Sequence, residues 1–368
     1  MKIGIVHPSF DVIGGAEQTT LSLLDALKNT SHQVTLYTTT KSIIIPSEIK
    51  ICYVNKNSFP IGWNLQRLLE VVKLFKKAKN EDVLFVSSGN LVLSNIRKVI
   101  IIYCHSTFES ELKKSQKKNS GLFIIYHNYI KKRLKNQLKL LEKVNVQLIT
   151  NSNYTKEKFK EIFGKESKVI FPPVKLKERN KDNCKKYGII TISRYSPEKN
   201  LEYNLEVIKN LNIPYKIFGN AKFSSQINYY NHLQKLTNDQ MQIELFCNSK
   251  RDLIENSLNS SKIYFQSSKE TFGISVIEGI MAGCIPIVPN NTANKEIVPI
   301  NKLRYKENDK NDAKRKIEFA LRGDFDKYLI ELQEYVKKFS QENFQKNIIN
   351  YLDDLENRMN KENRNNNI

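Results

Sequence analysis

Residues 263–288, IYFQSSKETFGISVIEGIMAGCIPIV, decide the fold. Ile263–Gln266 and Ile285–Val288 are short apolar runs of the kind that fill buried strands. Between them lie a polar loop and a helical stretch that starts near Gly273. Strand, helix and strand in one short stretch make the crossover unit of a parallel sheet. Gly273, Gly279 and Gly283 all fall here, in a chain with 13 glycines among 368 residues. That is about half of the ~7% average usage, so their concentration marks places where the backbone needs glycine.

The same alternation extends both ways. Upstream, Ile189–Ser193, Tyr215–Phe218 and Gln242–Phe246 are strand candidates, each followed by helical sequence. Pro172-Pro173 and the charged stretch Lys175–Lys186 separate them from an earlier series. That series comprises Lys2–His7, Gln33–Tyr37, Ile51–Val54, Val83–Ser87, Val99–Cys104, Gln147–Thr150 and Lys168–Phe171, with helical material after the first strand and at Leu65–Lys77 and Asn153–Phe163. Downstream, Asp312–Leu321 and Lys327–Met359 are helical, ahead of an Asn-rich tail. The pattern predicts an α/β protein of two doubly wound, Rossmann-like domains, with a ligand cleft at the carboxyl ends of the strands. The expected division is 1–172, 173–345, and a terminal helix, 346–368, returning to the first domain.

Composition narrows the class. A content of 40% hydrophobic and 26% charged residues is globular, and apolar runs such as Val99–Cys104 fall far short of the ~20 residues that cross a bilayer. No charged-then-apolar leader opens the chain, and five scattered cysteines lack metal or redox spacing. A cytoplasmic protein is therefore expected. The net charge of +21 raises nucleic acid, anionic membrane and phosphorylated ligands as partners.

Four places carry chemistry. Gly14-Gly15-Ala16-Glu17 follows the first strand and opens a helix, where free N–H groups meet an anion or a hydroxyl; a plain turn is the bland alternative. Arg194 and Lys199, in SRYSPEKN (193–200), pair a planar fork with a mobile point charge, which suits a diphosphate. A solvated loop is the alternative there. Glu270 and Glu278 stand on the loop and first turns of the glycine-marked helix, reaching different parts of one ligand, while the N–H groups of Gly273 and Ile274 face an anion. His105, in Tyr103-Cys104-His105-Ser106, ends a buried strand, a position where a structural histidine is the common case.

Together these residues resemble the GT-B-fold glycosyltransferases of family 4, retaining enzymes that use nucleotide sugars. The resemblance runs through Gly14-Gly15-Ala16-Glu17, Asn151-Ser152-Asn153-Tyr154-Thr155, Pro172-Pro173-Val174, Arg194 to Lys199, Phe218-Gly219 and the E-x7-E pair Glu270 and Glu278. The wording of ETFGISVIE and YCHS is closest to transferases that add mannose to lipid-linked oligosaccharides. The resemblance implies transfer of a hexose of mannose or glucose type, from a GDP- or UDP-linked donor to a glycan or lipid-linked acceptor. It gives the first domain to the acceptor and the second to the donor. By it, Glu278 holds the donor ribose, Arg194 and Lys199 the diphosphate, and Glu270 the sugar hydroxyls. Gly15 approaches the diphosphate or acceptor, His105 sits beside the anomeric carbon, and Phe272, Gly273 and Ile274 belong to the donor-binding loop. One departure stands out: Thr292-Ala293-Asn294-Lys295-Glu296 replaces a usual Gly-Gly pair before a glutamate.

No cofactor or metal is expected. Asp324-Phe325-Asp326, the only D-x-D, follows Arg322-Gly323 between helical stretches and has the setting of an interhelical turn. Residues 111–144 hold ten Lys or Arg against two Glu among apolar and aromatic residues. They suit an anionic membrane surface, which would make the protein peripheral; a core helix with a basic outer face is the alternative. A sugar-nucleotide 2-epimerase of the same architecture would need acids and histidines across the cleft rather than the E-x7-E glycine cluster. A nucleic-acid-binding protein would show basic residues interleaved with stacking aromatics in a recognisable module, and none is visible.

Overall fold

The computed structural model describes residues 1–11, 13–41, 43–55, 63–88, 99–107, 145–176 and 186–365. The basic stretch 111–144 lies outside them. The chain divides into unit 1, Met1–Pro173 with Gln341–Ile368, and unit 2, Val174–Ser340.

Unit 1 is built on a parallel sheet of β1 (Lys2–Val6), β2 (Gln33–Thr38), β3 (Lys50–Tyr53), β4 (Val83–Val86), β5 (Val99–Cys104), β6 (Val146–Thr150) and β7 (Lys168–Val169), in the order β3-β2-β1-β4-β5-β6-β7. Ile3 pairs with Val34 on one side and Val83 on the other. The central strands β4 (VLFV) and β5 (VIIIYC) are apolar and buried throughout because both of their faces are covered. Alternate residues fill two cores. Ile3, Ile5, Val83, Phe85 and Ile101 pack with Leu23 and Leu27 of α1 (Gly15–Leu27). Val6, Leu84, Val86, Ile100 and Ile102 pack with Leu74 and Phe75 of α2 (Trp63–Lys77) and Phe159 of α3 (Asn153–Phe163).

Unit 2 repeats the plan with β8 (Ile189–Ile192), β9 (Tyr215–Gly219), β10 (Ile243–Cys247), β11 (Ile263–Phe265), β12 (Ile285–Pro289) and β13 (Arg304–Tyr305), in the order β10-β9-β8-β11-β12-β13. Its helices include α4 (Leu201–Ile208), α5 (Ser224–Thr237), α6 (Arg251–Ser260), α7 (Ile274–Met281), α8 (Asn294–Ile297), α9 (Lys310–Arg322) and α10 (Leu329–Val336). The short edge strand β13 has no counterpart in the expectation from sequence, because two residues carry no period.

The final helix, α11 (Gln341–Asn365), starts at Gln341 rather than at residue 346. Phe344, Ile348, Leu352 and Leu355 lie at helical spacing and fill the unit 1 core beside α1, so the first turn already belongs there. Ser340, in extended conformation, separates α11 from the preceding turn, so the expected helical stretch 327–359 is broken.

In each sheet the strand order reverses once, between β1 and β4 and between β8 and β11. Such reversals leave a crevice at the strands' carboxyl ends.

Candidate functional site

In unit 2 the carboxyl ends of β8 and β11 carry the residues singled out from sequence. β8 leads through Ser193 and Arg194 to a tight turn, Pro197–Lys199. Asn200 closes this turn at φ 52°, a left-handed conformation that asparagine tolerates. The turn brings Lys199 Nζ within 2.6 Å of Glu270 Oε1 on the loop after β11. Ser268 Oγ donates to the same oxygen at 2.6 Å. Burial by itself would raise the Glu270 carboxyl, yet the Lys199 charge and hydrogen bond, the Ser268 bond and the more distant Arg194 hold it below the usual value. Arg194 is exposed and lies 3.7 Å from Glu198, so its guanidinium stays available to a ligand.

Behind that loop α7 approaches the sheet very closely. Gly273 starts the helix at φ 109°, where a side chain would strain the backbone. A Cβ on Gly279 would fall 2.6 Å from Tyr264 Cδ2 of β11. The Tyr264 hydroxyl then donates to Ser275 Oγ at 2.7 Å, locking the first turn. The leading N–H groups of α7 have no acceptor within the helix. Gly273 and Ile274 stand at that end, as expected. The Phe272 ring beside them is buried edge-on to Phe339, 5.3 Å between centroids.

Glu278, further along α7, accepts from Arg251 Nη2 at 2.7 Å. Arg251 opens α6 after β10 and also donates from Nε to Glu255 at 2.8 Å. Desolvation would lower the Arg251 pKa, but Glu278 and Glu255 outweigh it and raise it. Sequence alone does not single out Arg251, because nothing marks one arginine among 59 Lys and Arg.

The segment that departs from the family pattern is tied to this loop. The Ala293 N–H donates to Glu270 O at 3.2 Å. Buried Asn294 donates to Ser268 O at 3.3 Å and accepts from Gln266 at 3.3 Å. Thr292 takes φ 47°, so the left-handed conformation is adopted here by a β-branched residue.

Unit 1 presents a linked series at its own switch point. His105 Nε2 lies 2.8 Å from Ser87 O, which requires the proton on Nε2. Ser87 Oγ and Thr20 Oγ1 each lie 3.0 Å from Nδ1 of the fully buried His7. His7 Nε2 is 3.5 Å from Glu17 Oε1, and Glu17 Oε2 accepts from the Gly14 N–H at 2.9 Å. Burial would raise the Glu17 carboxyl, but His7 and the Gly14 N–H pull it below the usual value. The series thus runs from His105 to the turn beside Gly15. His7 and Ser87 are not marked in the sequence, since a buried His and Ser give no local signal.

Asp324 and Asp326 face cations: Arg322 lies 3.3 Å from the first and Lys262 3.6 Å from the second. Gly323 at φ 95° ends α9 just before them, the setting of an interhelical turn. Among the described residues, side chains close enough to share a metal ion are His32, Asp353 and Glu356. His32 precedes β2, at the amino ends of the unit 1 strands, whereas His7 follows β1 at their carboxyl ends. No helix among the described residues is long and apolar enough to cross a membrane.

Two parallel-sheet units in series, each with its switch point open at the strands' carboxyl ends, are the GT-B class of α/β fold. Anabaena HepE, solved in complex with UDP and glucose, matches 96% of this chain and 99% of its own at TM-score 0.74 and 14% identity. A glycosyltransferase from Rickettsia africae matches 95% of this chain and 97% of its own at TM-score 0.66 and 16% identity. Family models agree on both halves: Glycosyltransferase Family 4 matches residues 13–178 and Glycosyl transferases group 1 matches residues 174–343. The chain belongs to glycosyltransferase family 4. Among curated relatives, an alpha-1,3/1,6-mannosyltransferase of Candida glabrata is 23% identical over 320 residues, 75% of this chain and 66% of the relative. A GDP-Man:Man(3)GlcNAc(2)-PP-Dol alpha-1,2-mannosyltransferase of Dictyostelium discoideum is 24% identical over 195 residues, 47% of this chain and 39% of the relative.

Proposed function

We propose that the protein is a retaining hexosyltransferase that moves a mannose- or glucose-type sugar from a GDP- or UDP-linked donor to a glycan or lipid-linked acceptor. The observation that carries this reading is the Lys199–Glu270–Ser268 cluster beside the leading turn of α7. Without ligand, Glu270 neutralises Lys199. A donor diphosphate brings its own negative charge, takes over Lys199 and frees the Glu270 carboxylate to accept from sugar hydroxyls. Arg194 adds a second cation, and the N–H groups of Gly273 and Ile274 meet the diphosphate. These cations do the work that a divalent ion does elsewhere, and no cofactor takes part.

The reaction breaks the bond from the anomeric carbon to the diphosphate and forms one to the acceptor hydroxyl on the same face. Negative charge grows on the leaving phosphate, which accepts the hydroxyl proton. Preplaced cations stabilise that charge most in the transition state. Glu270 is no nucleophile in this scheme, and Glu278, held by Arg251, takes the ribose hydroxyls. The HepE complex with UDP and glucose and the two mannosyltransferase relatives support the donor and acceptor classes. A lipid-linked acceptor would place the protein at the cytoplasmic face of a membrane, with residues 111–144 against anionic lipid.

The test is a thermal-shift panel of nucleoside diphosphates and their sugars, followed by donor turnover with EDTA. Stabilisation grows with the ratio of ligand concentration to Kd. We expect one GDP- or UDP-sugar to raise Tm and to release its nucleoside diphosphate at a rate EDTA leaves unchanged. No shift with any of them would overturn the reading.

A further inference from the structure

The outer edge of unit 2 holds a second concentration of positive charge. Between β13 and α9 lies a cavity of about 590 Å³, lined by Arg304, Lys306, Glu307, Asp312, Arg315 and Lys316 among others. Both of these acids are already engaged. Glu307 pairs with Lys269 at 2.6 Å. Asp312 pairs with Arg315 at 2.6 Å and accepts from the Lys306 N–H at 2.8 Å.

Arg304, Lys306 and Lys316 are left, and none has a carboxylate at ion-pair distance among the described residues. Arg304 reaches only neutral acceptors, Lys295 O at 3.4 Å and Asn301 Oδ1 at 3.3 Å. Its Nε is buried and bonds to nothing. Lys316 Nζ donates to the Lys302 carbonyl at 2.8 Å. Burial pushes the pKa of both groups down. For Lys316, Asp312 opposes that fall, while Arg315 and Arg304 deepen it. Partly buried cations are ordinarily matched by acids. A guanidinium and an ammonium that share a hollow without such matches stabilise each other only through an anion between them.

We propose that this cavity binds a phosphate-class oxyanion, separately from the Lys199–Glu270 cluster. Arg304 supplies a planar fork and Lys306 and Lys316 mobile point charges, a combination that surrounds a tetrahedral anion. The phosphate is either free in solution or carried on a lipid headgroup; the chemistry recognised is the same.

The experiment titrates inorganic phosphate by calorimetry into four full-length proteins: the unaltered chain, R304Q/K316Q, R194Q/K199Q and the combination of all four changes. R194Q/K199Q removes the other cations that an anion could use. We expect it to retain phosphate binding, and the added R304Q/K316Q changes to weaken that binding at least tenfold. In the otherwise unaltered chain, R304Q/K316Q should remove the phosphate-induced rise in Tm that belongs to this site, without lowering Tm in phosphate-free buffer. Binding that survives R304Q/K316Q unchanged, or that disappears entirely in R194Q/K199Q, would overturn the proposal. Sedimentation with phosphatidylcholine vesicles, with and without phosphatidic acid, then separates the two sources. Loss of phosphatidic-acid-dependent sedimentation in R304Q/K316Q assigns the site to a headgroup. Unchanged sedimentation alongside lost phosphate binding assigns it to a soluble phosphate.

Discussion

Glu270 and Glu278 share a residue type and a short stretch of chain, yet their surroundings give them different tasks. Glu270 is held by a lysine and a serine from the loop side, 2.6 Å away each. Glu278 is held by an arginine from a neighbouring helix at 2.7 Å. In the proposed reaction the ribose does not change, so Glu278→Gln should remove uniform binding and raise the donor KM with a smaller effect on kcat. Glu270 lies where charge and ring shape change, so Glu270→Gln should depress kcat more than it weakens affinity for the bare nucleoside diphosphate. Full kinetics beside calorimetry of diphosphate binding decide this; abolished diphosphate binding in Glu270→Gln alone would reverse the roles. Arg194→Ala should lower kcat/KM by at least ~100-fold, the scale of one lost transition-state charge contact. A folded variant with normal turnover would remove Arg194 from the diphosphate site. Both glutamates, Arg194 and Lys199 are visible in the sequence because they sit beside turns and glycines. Arg251, His7 and Ser87 are not, since they act through partners that are distant in the chain and brought near only by the sheet.

At the level of elements, α7 owes its place to a missing side chain. Gly279 lets the helix lie directly on the Tyr264 ring, and Tyr264 in turn fixes Ser275 at the helix start. Adding a methyl group 2.6 Å from Tyr264 Cδ2 overpacks the contact and should cost about 1–3 kcal/mol. Gly279→Ala should therefore lower Tm by roughly 2–4 °C per kcal/mol, measured by calorimetry, and raise the donor KM as the leading N–H groups shift. An unchanged Tm would mean the helix stands further from the sheet. Glycine scarcity makes this helix legible in the sequence itself. It does not reveal β13, whose two residues have no period, nor the break at Ser340, where the apolar spacing continues unbroken across two helices that serve different units.

Across the whole molecule, each unit contains a half-buried carboxylate held below its usual pKa, Glu17 in unit 1 and Glu270 in unit 2. A depressed carboxylate stabilises the fold above its unfolded pKa and loses that contribution as pH falls through the folded value. Both units should accordingly lose stability on acidification below the ordinary glutamate range, and Glu17→Gln should flatten that loss in unit 1 only. Denaturant melts between pH 3 and 7 read this directly, and an unaltered pH profile in Glu17→Gln would break the link with His7. The terminal helix sets a larger dependence. Phe344, Ile348, Leu352 and Leu355 of α11 are buried against α1 in the unit 1 core. Burying each such side chain stabilises by about 1.5–3 kcal/mol, so the four together approach the ~5–15 kcal/mol that holds a whole domain. Removing residues 341–368 should then unfold unit 1 while leaving unit 2, which contains none of α11, folded. Limited proteolysis should cut the truncated protein throughout residues 1–173 and spare 174–340. Leu352→Ala alone should destabilise unit 1 by about 2–5 kcal/mol. Equal protection of both units after truncation would show that unit 1 closes its core without the helix.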